Sequence, residues 1–305
     1  MKVYNYGSIN IDHIYRVNDF VRPGETLASQ HYHRMLGGKG ANQSIALSKA
    51  GIPVQHIGSI GATDDWVRKE LTKNGIYSDY IQGIETPTGH AIIQVSDAGE
   101  NAIILYGGAN QSHSEDDLIK AFNDTKKGDW LLLQNECNLT GKVLSLAKQQ
   151  GMIVAFNPAP MTDSVRDMPL DCVDYLIVNE IETEGLVNDS DYGIGQPQAL
   201  LDRLHDLFPQ LKIVMTLGGE GVIYKDSDQT VAVAAEMVDV VDTTAAGDTF
   251  IGYFIQQIIA GNSVEMALRV ANKASSITVQ TLGASESIPD METLKSSGLL
   301  NDFVQ

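Results

Sequence analysis

Cysteine is almost absent. The chain has two, Cys137 and Cys172, with no CxxC pair and no framework of spaced cysteines. That excludes a disulfide-stapled fold and fits a reducing compartment, the cytoplasm. Both thiols read as small buried hydrophobes. Basic residues are also few: 21 Lys and Arg stand against 39 Asp and Glu, a net charge of −18. So acidic a chain repels nucleic-acid backbones and anionic lipid, and neither is expected as a partner. An anionic ligand must be held by a local site rather than by the overall field. No run of roughly eighteen apolar residues is present to span a bilayer. The first thirteen residues carry one lysine, an alternation of apolar and polar residues, and then Asp12. They lack the apolar centre of a signal peptide and read as a first strand. The seven histidines, at 13, 31, 33, 56, 90, 113 and 205, include no close ligand set, and no zinc site is expected.

What is present is ordinary globular composition. Hydrophobic residues make up 43% and charged residues 20% of 305 positions, which is incompatible with global disorder. The length allows two domains or one large α/β domain with an insertion. Apolar runs bounded by turn residues occur at Val3–Ile9, Val54–Ile60, Trp130–Leu133, Met152–Phe156, Val173–Val178 and Lys212–Leu217. Segments of helical period fall between and after them, at about 40–50, 64–73, 115–123, 139–149, 197–208, 247–260 and 263–279. Strand–helix alternation of this kind predicts a mostly parallel sheet flanked by helices, with ligands at the carboxyl ends of its strands. Residues 13–36 and 89–107 break the alternation. The first contains the turn Pro23-Gly24 and no good helix. The second reads as strands His90–Val95 and Ala102–Tyr106 around the turn-forming stretch Ser96–Asn101. Together they are expected to form a small inserted β-sheet lid on a single domain spanning 1–305.

Four segments carry candidate chemistry. Asp242 to Phe250 reads Asp-Thr-Thr-Ala-Ala-Gly-Asp-Thr-Phe and leads into an apolar helix. The small residues Ala245, Ala246 and Gly247 let backbone N–H groups converge at a helix N-terminus, where the dipole favours an anion. Asp248 in the first turn either complements that dipole or is a base beside an anion hole, the pairing that phosphoryl transfer to a hydroxyl needs. Gly37-Gly38-Lys39-Gly40-Ala41-Asn42-Gln43 is a turn entering a helix; it fails both the P-loop and the dinucleotide-binding spacings. Asn179 followed by Glu182 has the form of a capping box. Thr216–Gly221 after a strand has the form of a hairpin turn.

In order along the chain, Gly7–Asp12, Gly37–Asn42, Asn157-Pro158-Ala159-Pro160, Asn179–Glu182, Thr216–Gly221 with Val222, and Val241–Phe250 are similar to the ribokinase-like sugar kinases, the PfkB family. The resemblance extends to Gly283-Ala284. It implies an ATP-dependent kinase acting on a sugar primary hydroxyl, D-ribose first, with fructose, a deoxy sugar or a nucleoside as alternative acceptors. A non-catalytic sugar-binding regulator is the reading outside enzymes. The resemblance makes Asp248 the base and Ala245, Ala246 and Gly247 the anion hole. It assigns the sugar to Asn10, Asp12, Gly38, Lys39, Gly40, Asn42, Glu136 and Asp248. It assigns the nucleotide to Asn179, Glu182, Thr216, Gly218, Gly219, Gly221, Gly247 and Asn272, with Glu182 reaching Mg²⁺ through water. It implies a K⁺ site at Asp242, Thr244, Thr278, Thr281, Gly283 and Ser287, and a homodimer formed through the lid. Asn135 and Gly219-Glu220 depart from the family's usual residues. His90 and Tyr106 lie in strands that face the sugar in this family, and are expected to bear on which sugar fits.

Overall fold

In the computed structural model, residues 1–193 and 195–297 are described; the stretch 298–305, which the sequence reading assigns to the same domain, lies outside them. Val3–Tyr6 (β1) ends where the chain turns through Gly7-Ser8, and a new strand, Asn10–Arg16 (β2), begins in a different sheet. The apolar run at the N-terminus is therefore two strands, not one. His31–Gly37 (β3) returns antiparallel to β2, and Lys39–Lys49 (α1) follows at once. Then come Val54–Gly61 (β4), Asp65–Lys73 (α2), Ile76–Ile84 (β5), Gly89–Val95 (β6) and Asn101–Tyr106 (β7). Glu115–Asn123 (α3), Trp130–Gln134 (β8), Thr140–Gln150 (α4), Ile153–Asn157 (β9) and Tyr175–Asn179 (β10) continue the alternation. Glu180–Val187 (α5), Pro197–Leu207 (α6), Lys212–Thr216 (β11), Val222–Lys225 (β12) and Thr230–Val233 (β13) precede the C-terminal helices Ala246–Ile259 (α7), Val264–Thr278 (α8) and Met291–Ser296 (α9).

The large sheet has the order β13-β12-β11-β10-β9-β8-β1-β4-β5. All neighbours are parallel except the hairpin β11-β12-β13 at one edge. Its inner strands are buried on both faces, so they read as continuous apolar runs, yet alternate residues feed opposite cores. Leu131 and Leu133 pack with Tyr4, Tyr6, Leu176 and Val178 on one side. Trp130 and Leu132 pack with Val3, Tyr175, Ile177 and residues of α7 and α8 on the other. Both cysteines are buried and unpaired. No helix among the described residues is long and apolar enough to cross a membrane.

The second sheet, β3-β2-β6-β7, stands over the carboxyl ends of the large sheet's strands. It brings together the two segments that broke the alternation. Its register sets Asn10 beside Gly37 and Gly89, Asp12 beside Met35 and Ala91, Ile14 beside His33 and Ile93, and Arg16 beside His31 and Val95.

Candidate active site

Between lid and body lies a cavity of about 1150 Å³. Asn10, Asp12, Gly38, Lys39, Asn42, Glu136, Asn179, Glu182, Thr216, Asp242, Thr244, Ala245, Gly247, Asp248 and Gly283 all line it. These residues come from seven separate stretches of chain. Except for Gly283, in the loop after α8, each stretch follows, or is, the carboxyl end of a strand or the start of a helix, and so they meet at that end of the sheet.

The turn from β3 into α1 explains the glycines there. Gly38 has φ +91°, in the region that side chains disfavour. Gly40 lies under the Gly7-Ser8 peptide, where a Cβ would come within 2.4 Å of the Gly7 carbonyl carbon and the Ser8 nitrogen. Its N–H donates to Ser8 Oγ (3.2 Å) and its carbonyl accepts from Asn5 Nδ2 (2.8 Å). Gly40 is thus a packing residue beneath the cavity and has no backbone group left to offer a sugar. The close approach lets the Ser8 hydroxyl and the Lys39 N–H (3.1 Å) both donate to Glu136 Oε2.

At the other side of the cavity, Ala245 takes a left-handed conformation, φ +60°, as the cap of α7. Ala246 N–H donates to the Thr243 carbonyl, 3.2 Å. No acceptor among the described residues receives the amides of Gly247 or Asp248. Of the three amides expected to form an anion hole, that of Ala246 is occupied, while those of Ala245 and Gly247 meet no acceptor among the described residues, and the Asp248 amide is open as well. Asp248 Oδ1 accepts from Gln43 Nε2 (2.9 Å) and Oδ2 from Asn42 Nδ2 (3.1 Å), both side chains projecting from α1.

Five charged side chains share this space: Asp12, Lys39, Glu136, Glu182 and Asp248. Burial pushes the carboxyls of Asp248, Glu136 and Glu182 above their ordinary values, and the Lys39 ammonium opposes the rise in each. Burial works against the Lys39 charge in turn, but Asp248, Glu136 and Glu182 together hold its pKa above the usual lysine value. Asp12 is pushed up to about 6 by burial and by the neighbouring Glu136 charge. Perturbed carboxyls gathered around one ammonium in a cleft are an arrangement that functional sites use.

On the nucleotide side, Asn179 and Glu182 do form the capping box: Glu182 N–H donates to Asn179 Oδ1 (2.8 Å), and Asn179 N–H donates to Glu182 Oε2 (3.0 Å). Both still face the cavity. Thr216–Gly221 is a hairpin turn between β11 and β12, as its composition suggested. Gly218, Gly219 and Gly221 lie beyond the cavity wall. Asn272 is directed to the carbonyls of Val233 and Ala234 (3.4 and 3.2 Å). Thr278, Thr281 and Ser287 also stand outside the lining. Asp242 clips their loop to the start of α7, with Oδ1 accepting from Thr244 N–H (2.9 Å) and Oδ2 from Gly283 N–H (3.0 Å).

One expectation needs correction. In β6 it is Ala91, Ile93 and Val95 that face the cavity, in step with Asp12 and Ile14. His90 and Tyr106 lie on the opposite face of the lid, ring centroids 5.1 Å apart, and His90 also meets His13 at 5.8 Å. Period-two alternation puts them out of reach of the sugar. Sequence reasoning also passed over Asn110. Its Oδ1 accepts from the Ile9 N–H (2.9 Å) and its Nδ2 donates to Asn10 Oδ1 (2.8 Å), which leaves the Asn10 amide as a donor toward the cavity. The Gly107-Gly108 turn before it was the available signal.

The profile of the pfkB family carbohydrate kinases matches residues 2–291. The ribokinase of Haemophilus influenzae is 35% identical over 299 residues, covering 95% of this chain and 96% of that protein. The ribokinase of Cryptococcus neoformans in complex with ADP has a TM-score of 0.86 at 33% identity, with 97% of this chain and 99% of that chain covered. Arabidopsis thaliana ribokinase complexed with ribose and ATP has a TM-score of 0.82 at 28% identity, with 97% of each chain covered. Fold and site therefore define a sugar kinase, a phosphotransferase. The chain belongs to the pfkB family of carbohydrate kinases and is of the ribokinase type.

Proposed function

We propose that the protein transfers the γ-phosphoryl group of ATP to the primary hydroxyl of D-ribose, giving ribose 5-phosphate. One observation carries the reading: Asp248 and two open amides of α7 lie in the same cavity as the buried carboxylates and amides of Asn10, Asp12, Asn42 and Glu136. Such groups read a neutral polyol by accepting and donating to its hydroxyls. Asn42 Oδ1 is buried and lacks a donor among the described residues, a demand that a sugar hydroxyl meets. Asp248 takes the proton of the attacking hydroxyl, while the Gly247 and Asp248 amides and the α7 dipole stabilise charge on the transferring group. The lid excludes water, the competing acceptor.

ATP lies along the side bearing Asn179, Glu182 and Thr216. No group of three or more acidic, His or Cys side chains among the described residues is arranged to hold a metal ion, so Mg²⁺ would be held chiefly by phosphate oxygens, with Glu182 the carboxylate facing them. The ion supplies charge neutralisation at the phosphates. Asp242 and the carbonyls of the two loops it joins fit a monovalent cation. The unpaired cysteines fit a cytoplasmic protein, and the exposed edge strand β7 fits a dimer through the lid. A nucleoside is the competing acceptor, because Ile14, Ile93 and Ile103 line the cavity beyond Asp12 and offer apolar surface to a base.

A coupled assay of ATP consumption with ribose, deoxyribose, fructose, ribulose and adenosine tests the reading. Ribose is expected to give the highest kcat/KM, and Asp248→Asn to lower kcat by about 10²–10⁴-fold with its fold intact. Preference for adenosine would move the assignment to a nucleoside kinase. No turnover with any acceptor would leave a sugar-binding protein.

A further inference from the structure

Behind Asp248 lies a chain of buried amides that reaches neither substrate. Gln43 Nε2 donates to Asp248 Oδ1 (2.9 Å) and to Asn157 Oδ1 (3.3 Å), while Gln43 Oε1 accepts from Gln134 Nε2 (2.6 Å). Gln134 Nε2 also donates to Asn5 Oδ1 (3.1 Å), and Asn5 Nδ2 donates to the Gly40 carbonyl and to Ser44 Oγ, both 2.8 Å. Ser44 Oγ contacts His56 Nδ1 (2.8 Å), and His56 Nε2 contacts the Gly7 carbonyl (3.1 Å). Asn5, Gln43, Ser44, His56 and Gln134 are all buried.

The direction of every bond in this chain is determined. A backbone carbonyl only accepts. Gly40 O therefore forces Asn5 to present its NH₂ there and its oxygen to Gln134. Gln134 must then present NH₂, which makes the facing atom of Gln43 its oxygen and turns the Gln43 NH₂ toward Asp248. The same answer comes from the other side. The Ile177 carbonyl accepts from Asn157 Nδ2 (2.9 Å), so Asn157 turns its oxygen to Gln43, which must again present NH₂. Gly7 O likewise makes His56 Nε2 the protonated nitrogen, and Nδ1 the acceptor of the Ser44 hydroxyl. Burial holds His56 neutral, its pKa lowered to about 4. Two backbone carbonyls, one on α1 and one on β10, thus fix the polarity of one side chain between them. The arrangement leaves Gln134 Oε1 buried without a donor among the described residues, a cost in stability. Local cost of that kind is expected where function needs the geometry.

We infer that Gln43 is a positioning residue for Asp248, aimed by Gln134. The inference rests on the reading of Asp248 as the base. With Asn42 on Oδ2 and Gln43 on Oδ1, the carboxylate cannot rotate, and its remaining lone pairs face the cavity. The two N–H donors also favour its ionised form against the burial that disfavours it. The charged groups around it are Lys39 from α1, Glu136 after β8 and Glu182 from α5. Neither Gln43 nor Gln134 is hydrogen-bonded to any of the three.

The test is the pH profile of kcat with ribose and Mg-ATP for the wild type, Gln43→Met, Gln134→Met and Asp248→Asn. Methionine keeps the volume and removes the amide. Gln43→Met is expected to lower kcat by about 10–100-fold, to leave the ATP KM within about twofold, and to move the acidic limb to higher pH. Gln134→Met, which touches neither Asp248 nor the cavity, is expected to move the limb the same way by less. A folded Gln43→Met with the wild-type kcat and limb would overturn the inference, as would a lower kcat with an unmoved limb. Should Gln43→Met not fold, an unmoved limb in Gln134→Met overturns it. Substantial turnover by Asp248→Asn would instead overturn the base reading itself.

Discussion

Gly252 of α7 packs directly on Ala46 of α1, so closely that a Cβ on Gly252 would lie 2.5 Å from Ala46 Cβ and 2.8 Å from the backbone at Ala46 and Leu47. One turn earlier on each helix stand Asp248 and Asn42, joined at 3.1 Å. The missing side chain is what lets α1 bring Asn42 and Gln43 within hydrogen-bonding reach of the base. The obstructing atoms include backbone, so no rotamer change relieves the contact.

Gly252→Ala is therefore expected to separate the helices just above the site. Overpacking of this kind costs about 1–3 kcal/mol, and a displacement near 1 Å at the reacting groups costs about 10²-fold in rate. A thermal melt and kcat with ribose measure the two effects. A folded variant with wild-type kcat would show that the helix spacing does not set the position of Asp248.

Much of this was legible in the chain, and the omissions have physical causes. The helix Glu115–Asn123 was read residue for residue, because Ser114 caps it and its apolar residues keep helical period. The inner strands of the large sheet were visible as apolar runs because both faces are buried. The strand Ile76–Ile84 was not, since it is an edge strand whose exposed face carries polar residues. Of α5 only the cap was read, its eight residues being too few for a periodic stripe. Gln43, Gln134 and Asn110 were passed over for a different reason: a buried amide and a surface amide are the same letter, and only packing tells them apart. The outward face of His90 depends on the pairing of Asp12 with Ala91, a register no local pattern encodes.

Asp12 offers a trade between stability and function. Its carboxyl is pushed from 3.8 to about 6 by burial and by Glu136. Between those values the folded protein binds more protons than the unfolded chain, so stability falls as pH rises through the window and stays reduced above it. Asp12→Asn removes that loss. The substituted protein is expected to exceed the wild type in stability by up to about 3 kcal/mol at neutral pH, with the advantage vanishing near pH 4 and growing up to pH 6. Its KM for ribose is expected to rise, while the ATP KM stays put. Urea titrations across pH 4–8 and initial rates check both parts. A variant no more stable than wild type at pH 7 would show that Asp12 is not a strained charge.

The lid predicts assembly. β7 is an edge strand on which Ile103, Ile104, Leu105 and Tyr106 are consecutive and exposed, and Ile92 and Tyr32 add to the uncovered apolar surface. A bare apolar edge is an aggregation hazard unless it is covered. A second copy of the lid covering it predicts a dimer by light scattering at micromolar concentration. Ile104→Lys, on the face away from the cavity, is expected to yield monomers. A wild-type protein that is monomeric at all accessible concentrations would sink the assignment.

Activation by potassium follows from the position of Asp242. Its carboxylate accepts from Thr244 N–H and Oγ (2.9 and 2.6 Å) and from Gly283 N–H (3.0 Å), so it ties the loop before α7 to the loop after α8. The Val241 and Asp242 amides add bonds to the Val279 carbonyl, 2.7 and 3.1 Å. The Ser287 hydroxyl donates to Ala284 O (2.7 Å) and keeps lone pairs on its oxygen. The carboxylate and the carbonyls of the two loops it joins are oxygen donors of the kind a large, weakly hydrated cation prefers, and the potassium prediction rests on them. Burial raises the Asp242 pKa, but the donors from Thr244 and Gly283 outweigh it and hold the group below its ordinary value, so the charge persists into mildly acidic solution. A cation there does not touch the sugar. By stiffening the Asp242–Gly247 loop it is expected to aim the open amides of α7 and so to act on kcat through preorganisation. At fixed ionic strength kcat is expected to rise with K⁺ and less with Na⁺, and Asp242→Ala is expected to abolish the response while the protein stays folded. The response should persist down to about pH 5, because Asp242 remains ionised there. Equal rates in potassium and in a bulky organic cation would remove the site from the mechanism.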